Sequence, residues 1–147
     1  HVPFIIRWPG VTHPGSVSNE IVSQIDLMAT FADFLGAEIP AGQAEDSQNL
    51  LPVFKGIGPA RTSVVHSTWE RSGFAIREGD WVLVDAETGY ARKPPASWSK
   101  RHGYAEDDVQ PVELYNLNTD VHQQVNLAEQ YPDRVKSLQK LLQEIQE

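Results

Sequence analysis

A chain of 147 residues, 40% hydrophobic and 22% charged, fits one ordinary domain or the tail of one plus a small second one, and no apolar run approaches the ~18–20 residues that span a bilayer. Its net charge of −8 is shared between two basic and six acidic side chains in residues 1–60 and ten and fourteen in residues 61–147, so both parts repel a phosphate backbone and nucleic-acid binding is disfavoured. The sequence has no cysteine, which excludes a disulfide framework, a thiolate metal site and a Cys nucleophile within this stretch.

No targeting signal is legible at His1-Val2-Pro3, and the chain opens as if cut from something longer. Phe4-Ile5-Ile6 is a short apolar run of the kind a central, doubly covered strand supplies, so Phe4–Trp8 is predicted as an interior strand with neighbours on both sides. Pro9-Gly10 and Pro14-Gly15-Ser16 carry the chemistry of exposed turns. Ser23-Gln24-Ile25-Asp26 then reads as a capping-box start, with Asp26 suited to the positive helix end. Ile25, Met28, Phe31, Ala32 and Leu35 recur at helical spacing and Gly36 supplies the stop, which predicts an amphipathic helix packed on a sheet. Residues 37–62 are rich in Ala, Gly and Pro, with an apolar island at Leu50-Leu51-Pro52-Val53-Phe54, and a boundary is placed near residue 60.

From there the pattern turns to short β runs: Ser63–His66, Gly73–Arg77 and Trp81–Val84, the last two joined by Glu78-Gly79-Asp80 as a hairpin. Glu113–Leu117 is a fourth strand, and Val135, Leu138, Leu141, Leu142 and Ile145 mark a closing amphipathic helix entered through Pro132. Between them, residues 85–112 form an insertion around Pro94-Pro95 that is too long for a plain connection. The expected unit is a small antiparallel four-stranded sheet packed by a C-terminal helix.

The five histidines, His1, His13, His66, His102 and His122, include no i,i+4 pair, so packing or surface roles outweigh a transition-metal site. There is no Gly-x-Ser-x-Gly elbow and no phosphate-cradling loop. Glu106-Asp107-Asp108 lacks the spaced ligands of a calcium loop and reads as a solvated turn. The insertion gathers Arg92, Lys93, Lys100, Arg101 and His102 with Tyr90, Trp98 and Tyr104 in an otherwise acidic chain. Cations attract sulfate or carboxylate and aromatic faces stack on sugars, so Lys93, Trp98, Lys100, Arg101 and His102 are candidate substrate-rim residues. The alternative is a surface loop whose aromatics pack on their own domain. His66, at a predicted strand end, is a further rim candidate, with a buried capping histidine as its alternative.

Four blocks resemble sulfatases in the family's own order. Val2-Pro3-Phe4-Ile5-Ile6-Arg7-Trp8-Pro9-Gly10, then Ser23-x-x-Asp26-Leu27-Met28-x-Thr30, are similar to the stretch that follows the family's Glu-Gly-Gly turn. Phe74-Ala75-Ile76-Arg77-x-Gly79-x-Trp81-x-Leu83, then Glu113-Leu114-Tyr115-Asn116-Leu117-x-x-Asp120 with Asn126-Leu127-Ala128, resemble its C-terminal subdomain. The chain departs from the pattern at His1, Ala29, Val121 and Gln123, where the family favours Arg, Pro, Pro and Glu; these are local changes.

The resemblance implies residues 1–60 at the end of a large alkaline-phosphatase-like α/β domain and residues 61–147 as an α+β subdomain. It implies hydrolysis of sulfate esters by a formylglycine made from Cys or Ser, with a calcium ion held by acidic side chains and Asn. All of that machinery is expected upstream of His1, so no catalytic or metal residue is expected in this chain and its own enzymatic activity stays open. The implied partners are the N-terminal catalytic part and a sulfated small molecule or glycan, with no nucleic acid and no membrane. The implied location is periplasmic or extracellular. Two alternatives remain: a stand-alone module binding anionic glycans through residues 90–104, and a fragment of a phosphate or phosphonate ester hydrolase of the same superfamily.

Overall fold

The computed structural model describes residues 3–67, 73–86, 95–103 and 110–146. The chain divides into two compact units, residues 1–62 and 63–147.

In the first unit, residues 3–8 form no helix or paired strand, and their side chains divide between a packed and an exposed side. Phe4 stacks on Phe54 with ring centroids 6.1 Å apart, and Trp8 meets Phe34 edge-on at 4.6 Å. Ile6 and Trp8 pack against the buried cluster Leu50, Leu51, Val53 and Phe54. Ile5, on the other side, is 92% exposed. Among the described residues no strand pairs with this segment. Its apolar pattern is satisfied on one side only, and a strand exists only where a neighbour accepts its ladder.

A one-turn 3₁₀ helix, Gln24–Asp26, leads into α1, Leu27–Leu35. Gly36 ends it in the left-handed region at φ 63°, and the Ala37 amide donates back to the Ala32 carbonyl at 2.9 Å. The helix is apolar almost all round, with only Thr30 and Asp33 polar. Leu27 packs into the cluster and Phe31 and Phe34 flank Trp8. The stripe expected to lie on a sheet is largely bare, however: Met28 is 60% and Leu35 73% exposed, and Ile25 is exposed beside them. The apolar island forms a single helical turn, α2, Leu51–Phe54, whose Pro52 sits in the first turn, where a missing N–H costs nothing.

The second unit is a four-stranded antiparallel sheet in the order β1 (Ser63–Ser67), β2 (Phe74–Glu78), β3 (Trp81–Asp85), β4 (Glu113–Asn116). Register aligns Val65, Ile76, Leu83 and Leu114 across the sheet. Ile76, Leu83 and Leu114 are fully buried together with Leu138 of the closing helix, and Leu142 joins the same core. An insertion between β3 and β4 contains a helix absent from the sequence expectation, α3, Ala96–His102; the closing helix is α4, Pro132–Gln146. Asn126 sutures the return after β4: its side-chain oxygen accepts the Leu114 and Ala128 amides at 3.0 and 2.9 Å, and its amide donates to the Val112 carbonyl at 3.1 Å. No helix among the described residues is long and apolar enough to cross a membrane.

Candidate functional site

The insertion's described part is built on α3. Pro95 stands at its N-cap, Gly103 takes the left-handed conformation at φ 73° after it, and Ser99 is buried, which anchors one side of the two-turn helix. Trp98 is 41% exposed and its ring lies 4.3 Å, centroid to centroid, from that of His102, tilted by 33°. Lys100, Arg101 and His102 form the last turn and are exposed. Cations there suit the negative end of the helix, but that alone asks for no exposed indole.

Helical geometry sorts these side chains. At about 100° per residue, Arg101 lies about 60° to one side of Trp98 and His102 about 40° to the other, while Lys100 falls about 160° away. The structure therefore brings Trp98, Arg101 and His102 onto one arc and sets Lys100 behind it. His66 is exposed on β1, an edge strand two places from β3 in the sheet order. Lys93 lies outside the described residues, as do Tyr90, Arg92, Tyr104 and Glu106-Asp107-Asp108. Sequence reading missed α3 itself; Pro95 at its N-cap and Gly103 at its C-cap are the signals that bound it.

The first unit holds two features of another kind. An open groove of about 730 Å³ runs between α1 and the 42–47 loop, with Ile25, Met28 and Phe31 on one wall and Ala44, Glu45 and Asp46 on the other. Beneath the helix start lies a buried polar network. Asp26, 0% exposed, accepts hydrogen bonds from the Ser23 amide at 2.9 Å and the Gln48 amide at 3.0 Å and pairs with the buried Arg61. Arg61 also donates to the Asp46 carbonyl at 2.8 Å. Thr30 donates to the Asp26 carbonyl at 2.6 Å and accepts the Leu50 amide at 2.8 Å. Ser47 donates to the Ile25 carbonyl and accepts the Ala29 amide. Asp26 was read from sequence as a partner of the helix dipole; its principal partner is a guanidinium brought in from the end of the unit.

Among the described residues no group of three or more His, Cys, Asp or Glu is placed to hold a metal ion. The sequence has no Cys/Ser-x-Pro-x-Arg run to supply the family's nucleophile, and the described residues offer no carboxylate cluster that fits its calcium.

No family model matches the chain. It is 29% identical over 144 residues to the N-acetylgalactosamine-6-O-sulfatase of Bacteroides thetaiotaomicron, covering 98% of this chain and 27% of the relative. It is 27% identical over 161 residues to the ulvan-active sulfatase of Formosa agariphila, covering 98% and 32%. Against arylsulfatase K of Danio rerio it is 30% identical over 145 residues, covering 99% and 25%. A solved structure described under the metabolism of multiple glycosaminoglycans by Bacteroides thetaiotaomicron superposes with a TM-score of 0.75 at 30% identity, over 97% of this chain and 28% of that one. A second, in complex with its substrate D-glucosamine-2-N,6-O-disulfate, shares the fold at TM-score 0.69 and 24% identity, over 97% of this chain and 27% of that one.

These relatives define a class, the sulfatases of the alkaline-phosphatase-like fold. The chain matches the C-terminal portion of its members. It spans between 25% and 32% of the length of the three curated relatives above.

Proposed function

We propose that this chain is the C-terminal part of a sulfuric ester hydrolase. Residues 1–60 close the large α/β catalytic domain, and residues 61–147 form a subdomain that shapes the rim of the substrate site. The observation that carries the reading is α1, apolar on nearly every side yet bare along Ile25, Met28 and Leu35. A helix of that composition belongs between two layers, and a contiguous exposed apolar stripe marks an interaction surface. The 3–8 segment, bare at Ile5, supports the same reading, because an exposed apolar run without backbone partners gains most when neighbours cover it. The short share of each relative that the chain covers supports it as well.

On this reading the formylglycine and the calcium ion belong to polypeptide upstream of His1, and no residue here carries a catalytic step. The chain's own contribution is positional: it covers the catalytic sheet and offers His66, Lys93, Trp98, Lys100, Arg101 and His102 to the outer part of a sulfated substrate. That substrate is a sulfated small molecule or glycan, and the names of the Bacteroides and Formosa relatives favour a glycan. The site of action is the periplasm or the cell exterior. The test is sulfate release from an aryl sulfate with calcium present. The purified chain gives none, the full product of its gene gives release, and turnover by the chain alone overturns the proposal.

A further inference from the structure

We infer that the groove between α1 and the 42–47 loop is a docking site for a segment of the upstream polypeptide that carries a large apolar side chain beside a Lys or Arg. The apolar side chain fills the floor of Ile25, Met28 and Phe31, and the cation reaches the carboxylates of Glu45 and Asp46 on the opposite wall. The inference rests on the reading of this chain as the C-terminal part of a longer hydrolase and names the chemistry of one contact between the two parts.

Three observations converge on it. First, the groove is already built. The Ser47 hydroxyl donates to the Ile25 carbonyl at 2.7 Å and accepts the Ala29 amide at 2.9 Å, and the Gln48 amide donates to Asp26 at 3.0 Å, so the loop is tied to the start of α1. Arg61 holds the Asp46 carbonyl at 2.8 Å, and Ala44 takes a left-handed φ of 52°, which a residue with a Cβ adopts only where its surroundings impose it. A cleft fixed in advance loses little freedom when it is filled. Second, the floor is apolar and bare: Ile25, Met28 and Phe31 are between 48% and 60% exposed. A groove of about 730 Å³ takes a length of chain rather than a single methyl group, and covering such a floor is the main gain on offer. Third, charge selects among the occupants. Among the described residues no cation pairs with the carboxylate of Glu45 or Asp46, and Arg61 is engaged with Asp26. A second copy of this chain, at a net charge of −8, is repelled by an acidic wall, whereas a Lys or Arg lays its methylene stem along the apolar side and brings its charged end to the carboxylates. The relatives supply the source: the chain matches their C-terminal portion and spans 25% to 32% of their length, so most of a member's polypeptide lies upstream of the matched stretch.

The experiment uses the full product of the gene with a photoreactive benzophenone amino acid in place of Gln24, an exposed residue on the groove wall, and a control with the same group in place of Glu38, outside the groove. Irradiation is followed by mass spectrometry of the joined peptides. The expected result is a link within one molecule from the groove position to a segment before His1 in which Lys or Arg stands beside a large apolar residue, and no such link from the control. Glu45→Lys with Asp46→Lys lowers the yield of that link about fivefold, the size expected of solvent-exposed ion pairs turned repulsive. Reversing the contacted cation to Glu in the same molecule restores it, which separates recognition from loss of folding. Links between two copies, links to another protein, links confined to this chain, or no link overturn the docking site, as does an unchanged yield with the two lysines. Sulfate release from an aryl sulfate is measured on the unsubstituted product, so the docking site and the reading beneath it fail separately.

Discussion

Replacing Arg61 by Met is the most informative perturbation of the first unit. The substitution keeps the length and apolar stem of the side chain but removes the guanidinium that faces Asp26. It leaves a fully buried carboxylate with two backbone amides, from Ser23 and Gln48, and no counter-charge. It also removes the donor to the Asp46 carbonyl. Breaking one half of a buried ion pair costs about 3–5 kcal/mol, because the remaining charge stays desolvated. A small unit that also exposes an apolar stripe has little stability in reserve, so a loss of this size is enough to open it. Adding Asp26→Asn to Arg61→Met removes the stranded charge, and the double variant is expected to be more stable than Arg61→Met alone by about 1–3 kcal/mol. The assay is native-state amide hydrogen exchange, read separately for α1 and for the sheet of the second unit, because two units need not unfold together. Protection in α1 should collapse while that of β2 and β3 holds. Loss of less than about 1 kcal/mol in α1, the value of a solvated ion pair, would refute the reasoning.

In the second unit, Leu83→Ala removes a fully buried side chain from the centre of the sheet core, and a loss of about 2–5 kcal/mol is expected in urea unfolding of β1–β4. Asn126→Ala strips the partners of the Leu114 and Ala128 amides and the Val112 carbonyl, and should cost about 1–3 kcal/mol by the same measurement. Met28→Ser sits on the bare side of α1, so in the isolated chain it should reduce self-association and binding of a hydrophobic dye, with a change in stability within about 0.5 kcal/mol.

The four strands and α4 were legible because each is a local pattern: short β-branched or aromatic runs, a Glu78-Gly79-Asp80 turn, and leucines at helical spacing. The register of Ile76, Leu83 and Leu114 follows from that alternation once the hairpin is set. The end of α1 was legible as well, since Gly36 takes the positive φ that favours glycine.

What failed to read correctly depends on partners distant in sequence. Phe4–Trp8 carries the composition of a covered strand, and composition records which surfaces a segment prefers to bury without naming the neighbours: within this chain Ile5 and the stripe of α1 are exposed. Asp26 sits in a capping pattern that explains its reach to the Ser23 amide, yet nothing local announces Arg61, 35 residues away. α3 was hidden by its own chemistry, because a Pro-Pro start and a basic end read as loop. Of the rim candidates, Trp98 and His102 were grouped from sequence and do touch, whereas the rotation that separates Lys100 from Arg101 becomes visible only once the segment is known to be helical.

The central claim is that α1 and residues 3–8 are made to be covered by the rest of a sulfatase. Amide exchange of residues 4–8, compared between the isolated chain and the full product of its gene, tests this most directly. The account predicts rapid exchange of the Ile5 and Arg7 amides in the isolated chain and strong protection, by a factor of about 10³ or more, in the longer polypeptide. Equal exchange in both would contradict it.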